Sequence, residues 1–373
     1  MPLRAYACGL VGYPNVGKST LFNALAGAAL AEAANYPFCT IEPNVCKVPI
    51  QDPTLAALAA KFGSKKVINA QIEFRDIAGL IKGASNGEGM GNAFLSHIRS
   101  GTRVIVQVVR CFTDSRIVSV NSKVDPIAEF KDIQEELIIA DLELLSKRLK
   151  RGGVSPESIA FFTSVEAALG RGLRARSVLD GHLEGETTPT LDTTSNLLTT
   201  CASSKELLAQ LITAKPLIVL ANVDSVPNDY SRALTSYLEP FGIPVITLPV
   251  AAECEAAALR ASGESEFAAE FLASSGITSL FPTLPLIREC RKYLGFSVFY
   301  TLGHEEARSW LYPTGSKAPV CAGVIHSDFE RKFQAVNVKR VDDVLEGRAI
   351  EQSRGRDWSP GDCEEILDFK LKK

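Results

Sequence analysis

Apolar and polar positions change rhythm several times along the chain, and each change predicts an element. Ala7-Cys8-Gly9-Leu10-Val11 is short and uninterrupted, as in a strand buried on both faces. Thr20-Leu21-Phe22-Asn23-Ala24-Leu25-Ala26 returns apolar residues at helical spacing. Ile72-Glu73-Phe74-Arg75-Asp76 alternates with period two, and Ile218-Val219-Leu220-Ala221-Asn222 is again continuous, so both predict strands. From Asp125 the pattern changes. Ile133, Leu137, Ala140, Leu144 and Leu149 recur near every fourth position with charged residues between them, predicting a long amphipathic helix. Gly152-Gly153 breaks it, and Ser155-Pro156-Glu157 is a start signal for a second helix, so a helical hairpin is expected. Thr187 to Thr200 reads as a loop. Beyond about Leu294 the rhythm is alternating, in Phe296–Tyr300, Phe333–Val338 and Ile366–Leu371, which predicts a small half-buried sheet.

Bulk properties narrow the picture modestly. A chain of 373 residues exceeds one ordinary core, so two or three domains are expected. The net charge of −3 excludes a chain-wide attraction to nucleic acid, leaving only local basic patches. Nine cysteines, an odd number with no C-x-x-C pair, lie mostly in apolar strings, as reduced core thiols do. No signal peptide is recognised and no apolar run reaches the ~18 residues of a membrane span, so a cytoplasmic protein with no membrane association is expected. A monomer is also expected. His97, His182, His304 and His326 share no metal-like spacing.

The chemistry starts at Gly12-Tyr13-Pro14-Asn15-Val16-Gly17-Lys18-Ser19, which fits G-x-x-x-x-G-K-[ST] between a predicted strand and a predicted helix. In such a loop, glycines let successive N–H groups face one anion, and the helix N-terminus adds positive potential. Asn15, Val16, Gly17, Lys18, Ser19 and Thr20 are therefore the expected phosphate cradle. Lys18 would reach the β- and γ-phosphates, and Ser19 would give its hydroxyl to Mg²⁺. The alternating strand ends in Asp76-Ile77-Ala78-Gly79, where the carboxylate can serve the metal and the Gly79 N–H the γ-phosphate. Between the two lies Thr40, expected to close over the ion, so Ser19, Thr40 and Asp76 are the candidate metal ligands. Gly83, Gly87, Gly89 and Gly91 follow so closely that Leu80 to Asn92 reads as a γ-phosphate-sensitive switch loop.

Tyr36–Asn44, Asp76–Ala84 and Val108-Val109-Arg110-Cys111-Phe112 together resemble the YchF/Obg-like ATPase family, in the Obg branch of P-loop GTPases. The likeness continues through Thr213-Ala214-Lys215-Pro216, Asn222-Val223-Asp224 and Ala322–Arg331, and lapses from about Gly152 to Cys201. The resemblance implies an α/β P-loop NTPase domain from 1–125 and 202–290, a helical hairpin inserted at 126–201, and a TGS-like β-grasp domain at 291–373. It implies a ribosome-associated, Mg²⁺-dependent ATPase switch that turns over slowly. Basic residues near the hairpin tip (Lys147, Arg148, Lys150, Arg151) and the β-grasp domain would supply any RNA contact.

Two positions depart from the wider pattern. GTPases carry Asn-Lys-x-Asp where this chain has Asn222-Val223-Asp224-Ser225, and Ser225 lacks the charge and reach for a bidentate guanine contact. ATP is therefore expected over GTP, with Asn222, Val223 and the backbone near Ala252 around the base. Leu80 stands where related enzymes orient water with Gln, and Gln107 stands where the family carries a His before Val108. Lys18, Gly79 and Gln107 are the expected catalytic set, with Gln107 as a weak water-positioning group. Asn15 also matches relatives that use K⁺. Two alternatives stay open: an Obg-type GTPase, and a nucleotide-gated binding module with negligible turnover.

Overall fold

The computed structural model describes residues 7–32, 44–77, 90–113, 124–151, 156–180, 202–224, 227–279, 281–348, 352–360 and 365–371. Thr40, Gly79, Leu80, the glycines from 83 to 89, Gly152, Gly153, the Thr187–Thr200 segment and Ser225 lie outside the described residues.

The first half builds one sheet. Its strands are β1 (Ala7–Val11), β2 (Val45–Pro49), β4 (Gln71–Asp76), β5 (Val104–Arg110), β6 (Leu217–Asn222) and β7 (Val245–Leu248), in the order β2-β4-β1-β5-β6-β7. Every pairing is parallel except that of β2 with β4 at the edge. Helices cover a parallel sheet on both sides, so its central strands are apolar without alternation, and every residue of β1, β5 and β6 is buried. Helix α1 (Lys18–Glu32) leaves β1 through the P-loop. A later helix, Val250–Ala261, packs beside it, and Gly27 meets Ala257 across the contact. Helix α3 (Met90–Gly101) begins earlier than the glycine-rich pattern suggests, so Gly91 and Asn92 belong to a helix and not to the expected loop.

Helices α4 (Pro126–Arg151) and α5 (Pro156–Gly170), where the hairpin is expected, pack against each other. Helix α4 serves two cores. Ile133, Leu137 and Ala140 pack into the first sheet's core. Ile138 and Leu145 join Phe161, Phe162, Val165 and Leu211 in a separate helical core. Lys147, Arg148, Lys150 and Arg151 are exposed at the far end of α4.

A second sheet has the order β11-β10-β12-β8-β9-β3, built mainly from β8 (Phe296–Leu302), β9 (Glu306–Pro313), β10 (Phe333–Arg340), β11 (Gln352–Arg354) and β12 (Glu365–Leu371). Its last strand, β3 (Lys66–Ile68), comes from the N-terminal half and pairs in parallel with Glu306–Arg308. The preceding helix α2 (Pro53–Phe62) belongs here too. Asp52 caps it by accepting from Thr54 and Leu55 N–H at 3.0 and 3.3 Å, with Pro53 in the first turn and Gly63 left-handed at its end. Leu55, Leu58 and Ala59 bury against Val298, Tyr300, Val341 and Ile366. Burial of each leucine contributes ~1.5–3 kcal/mol. Residues 53–68, expected within the 1–125 NTPase segment, thus pack with the unit expected from 291, because an amphipathic helix carries no mark of which sheet will cover it.

Candidate functional site

The P-loop turn needs its glycines for two different reasons. Gly12 has φ +155° and Gly17 φ +102°, regions that L side chains rarely adopt. Space is also lacking: a Cβ on Gly12 would lie 2.5 Å from the Val108 carbonyl oxygen, and one on Gly17 2.4 Å from Asn222 Nδ2. Asn15 takes the left-handed conformation at φ +64°, which Asn tolerates. Leu21 N–H donates to Gly17 O at 2.9 Å, and α1 starts directly behind the loop.

Lys18 is buried and its ammonium donates to Tyr13 O at 2.6 Å. Burial pulls its pKa down to about 8, opposed by the nearby Asp76 carboxylate. Ser19, exposed at the helix start, donates its hydroxyl to Asp76 Oδ2 at 3.1 Å. Asp76 Oδ1 is buried with no hydrogen-bond partner. A hydroxyl and an unsatisfied carboxylate oxygen below a phosphate cradle are the hard oxygen donors that Mg²⁺ prefers, so these residues fit such an ion. No group of three or more His, Cys, Asp or Glu forms a self-sufficient metal site among the described residues. A divalent ion here would therefore draw most of its remaining shell from phosphate and water.

Asn222 closes the cradle from behind. Its Nδ2 donates to Val16 O at 2.9 Å, and its Oδ1 accepts from Val250 N–H at 3.2 Å. The side chain thus ties the P-loop to the start of the Val250–Ala261 helix, where Ala252 sits half-buried in the first turn. Val223 differs from expectation. It is 2 % exposed and packed in the core, so its side chain has no face left for a base. Thr20 lies half-buried in the first turn of α1.

Gln107 requires a correction. It is fully buried on β5, donating to Phe130 O at 3.3 Å and accepting from Gln134 at 2.6 Å. Both ends of its amide are committed to α4, so it does not orient water at the P-loop. The Val108–Phe112 run instead links strand ends. Cys111 N–H donates to Asn222 O at 2.8 Å, and Cys111 O accepts from Asn228 Nδ2 at 2.6 Å. Arg110 folds over the Phe112 ring and donates to its carbonyl at 3.1 Å. Beside them Glu129 is buried, with Oε2 unbonded, and burial pushes its pKa up to about 7.

Three further residues tie the surrounding elements together, none of them assigned a role from the sequence. Tyr13 fills a variable position of the P-loop motif, and its hydroxyl donates to Asp132 on α4 at 3.0 Å. Lys215 donates to the carbonyls of Ile98, Arg99 and Thr102 at 2.6–2.8 Å, capping the C-terminus of α3. Asp141, wholly buried, accepts from the N–H groups of Ile212 and Thr213 at 3.0 and 2.7 Å and from the Thr213 hydroxyl at 2.8 Å. Only Lys215 and Thr213 had a visible signal, the Thr213-Ala214-Lys215-Pro216 string.

A family model described as "50S ribosome-binding GTPase" matches residues 7–143, and the YchF GTPase C-terminal model, described as a protein of unknown function, matches 296–358. The chain is 38% identical over 352 residues to the "Ribosome-binding ATPase YchF" of Bacillus subtilis, covering 92% of this chain and 91% of that protein. It is 37% identical over 358 residues to the protein of the same name from Mycoplasma genitalium, covering 93% and 92%. The solved "Structure of the Schizosaccharomyces pombe YchF GTPase" is 30% identical, with a TM-score of 0.74 and 99% of both chains covered.

Proposed function

The chain belongs to the YchF family, and on that premise we propose that it is a ribosome-associated ATPase, cycling between nucleotide states as a switch. One observation carries the chemical part: Lys18, the Ser19 hydroxyl and the unsatisfied Asp76 carboxylate converge beneath a P-loop that Asn222 holds closed. A water oxygen attacks the γ-phosphorus, the bond from that phosphorus to the β-γ bridging oxygen breaks, and ADP and phosphate leave. Lys18 exchanges its Tyr13 carbonyl partner for phosphate oxygens and offsets the charge that develops on them. P-loop N–H groups from Asn15 to Thr20 fix the phosphates, and Ser19 with Asp76 would hold Mg²⁺, joined by Thr40. Mg²⁺ bound there supplies charge neutralisation on the β- and γ-phosphates. Slow intrinsic turnover, with the Gly79 N–H contacting the γ-phosphate, is part of this reading.

The base reading rests on Ser225 and Val223, which stand where guanine sites carry Asp and Lys. Asn222 and the backbone around Ala252 border the base in this reading. We also assign Asn15 as a K⁺ ligand, which exchange of K⁺ for Na⁺ tests through the rate. The domain limits 1–125 with 202–290, 126–201 and 291–373 serve as the working division, with 53–68 moved to the last unit and the C-terminal unit read as a TGS-like β-grasp. A cytoplasmic monomer that meets ribosomal RNA through the α4 tip and the second sheet completes the proposal.

Calorimetric titration with ATP, GTP and their diphosphates is the test. Tighter ATP than GTP binding is expected, and the reverse order would turn the assignment to an Obg-type GTPase. Turnover assays with and without ribosomal subunits separate an ATPase from a binding module.

A further inference from the structure

A cavity of about 520 Å³ lies between α4, the turn after α5, helix α6 (Ala175–Leu179) and the segment following the Asp229–Leu238 helix. Pro216 and Leu217, at the start of β6, form one wall. The P-loop tie at Asn222 is at the other end of that strand, ~17 Å away at the usual rise per residue. The cavity is therefore separate from the nucleotide site.

Its lining has two halves. Phe130, Tyr237, Phe241 and Tyr293 form an aromatic floor. Phe130 and Tyr237 meet edge-on at 6.3 Å, and Tyr237 and Phe241 are 5.7 Å apart. Phe241 is 51% exposed, an unusual exposure for a phenylalanine beside a cavity of ligand size. The polar half holds three cations, Lys131, Arg174 and Arg176, against two carboxylates, Glu135 and Asp180. Arg176 is neutralised by Asp180 at 2.8 Å. Lys131 stands 4.9 Å over the Tyr237 ring and forms no ion pair among the described residues. Arg174 donates to Gln134 Oε1 and, at 2.8 Å, to Lys215 O, both neutral oxygens. Burial pulls the Arg174 pKa down to about 10, against the opposing pull of the Asp141 and Asp180 carboxylates.

We propose that this cavity binds a planar aromatic molecule carrying one anionic group, its ring on the Phe130–Tyr237–Phe241 floor and its charge between Lys131 and Arg174, and that its occupancy is felt at the P-loop. Aromatic rings offer a ring-shaped ligand edge and face contacts, and one anionic group balances the single cation in excess along the lining. The coupling route is continuous. Helix α4 contributes Phe130, Lys131 and Gln134 to the cavity. The neighbouring Asp132 accepts from Tyr13, and the Tyr13 carbonyl holds the Lys18 ammonium. Any shift of α4 on ligand entry therefore moves the carbonyl that competes with phosphate for Lys18. This regulatory part rests on the ATPase reading above, whereas the binding part does not.

The test uses 8-anilinonaphthalene-1-sulfonate as the probe on the full chain. Saturable, one-to-one fluorescence enhancement is expected, persisting with Mg²⁺–ATP in excess. Lys131→Glu and, separately, Phe241→Ser should weaken probe binding at least fivefold, whereas Lys131→Arg should retain it. Neither loss variant should change the melting temperature by more than a few degrees, since both side chains are exposed. Saturating probe should shift ATP affinity at least threefold, with a reciprocal shift of probe affinity by ATP. Displacement of the probe by ATP from a shared site, equal binding by all variants, or an unmoved ATP affinity would each overturn the proposal. Absence of ATP binding in the unmodified chain would refute the ATPase reading instead, and the nucleotide-free probe titrations would still report on the cavity.

Discussion

Ser19 and Asp76 are 57 positions apart in sequence, yet the serine hydroxyl donates to the aspartate Oδ2 at 3.1 Å. The pair leaves Asp76 Oδ1 buried and unbonded. Asp76→Asn should therefore weaken the apparent magnesium affinity ~10–100-fold, the usual cost of disturbing groups around a bound metal. The melting temperature in metal-free buffer should change little, since an amide oxygen can still accept from the Ser19 hydroxyl. A magnesium titration of turnover beside a thermal melt measures both. Unchanged magnesium dependence would remove Asp76 from the ion's surroundings.

Asn222 acts on the loop before it acts on any base. In Asn222→Asp, a carboxylate oxygen would face the Val16 carbonyl where an N–H now donates. The expected cost is ~1–3 kcal/mol of stability. ATP and GTP affinities should fall by similar factors. Selective loss of one nucleotide would instead identify Asn222 as a base reader.

Gln107→Leu separates a core role from a catalytic one. The substitution strands the Gln134 amide and the Phe130 carbonyl, costing ~1–3 kcal/mol. Single-turnover rate per folded molecule should stay within about twofold at a temperature well below the melt.

Nucleotide affinity should depend on pH through Lys18. Its pKa in the protein is about 8, below the ordinary lysine value, and phosphate binding requires the charged form. Above pH 8 binding must first take up a proton, so ATP affinity should fall by up to about tenfold per pH unit. Isothermal titration at pH 7 and pH 9 tests this, and Lys18→Arg should flatten the profile.

Glu129 makes a stability prediction of opposite use. Its folded pKa, about 7, lies above the unfolded carboxylate value, so its favourable contribution is complete below about pH 4.3 and lost as pH rises through 7. Glu129→Gln should stabilise the protein by ~1–3 kcal/mol at pH 8 and by less at pH 5. Denaturant titrations at the two values report the difference.

The parts of the site legible in the sequence are those set by local backbone geometry. The P-loop, Asp76 and the two long helices follow from glycine placement, alternation and start signals within about fifteen residues of each. Orientation inside a fully buried strand is not local. Every residue of β5 is buried, so no alternation marks which way Gln107 points, and the partner that decides it, Gln134, sits 27 residues away. Asn222 and Val223 illustrate the same limit, because their roles are set by Val16 and by the core rather than by their neighbours. Tyr13 occupies a motif position that accepts many residues, and only the packing of α4 gives it a partner. The pairing of β3 with β9 joins segments about 240 positions apart, beyond the reach of any window.

That pairing has a mechanical consequence. Strand β3 ends at Ile68 and β4 begins at Gln71, so only Asn69 and Ala70 separate the second sheet from the strand that delivers Asp76. Ala70 is held on both sides, donating to the Ser309 hydroxyl at 2.8 Å and accepting from Ile50 N–H at 2.8 Å. A two-residue link fastened at Ala70 forms a stiff hinge pin, with too little slack for either sheet to tilt unnoticed by the other. A load on the C-terminal sheet, such as docking against a large assembly, would reach the Asp76 strand as strain along covalent bonds. The same pin means that cutting the chain near residue 290 would strip the second sheet of its edge strand and its α2 cover.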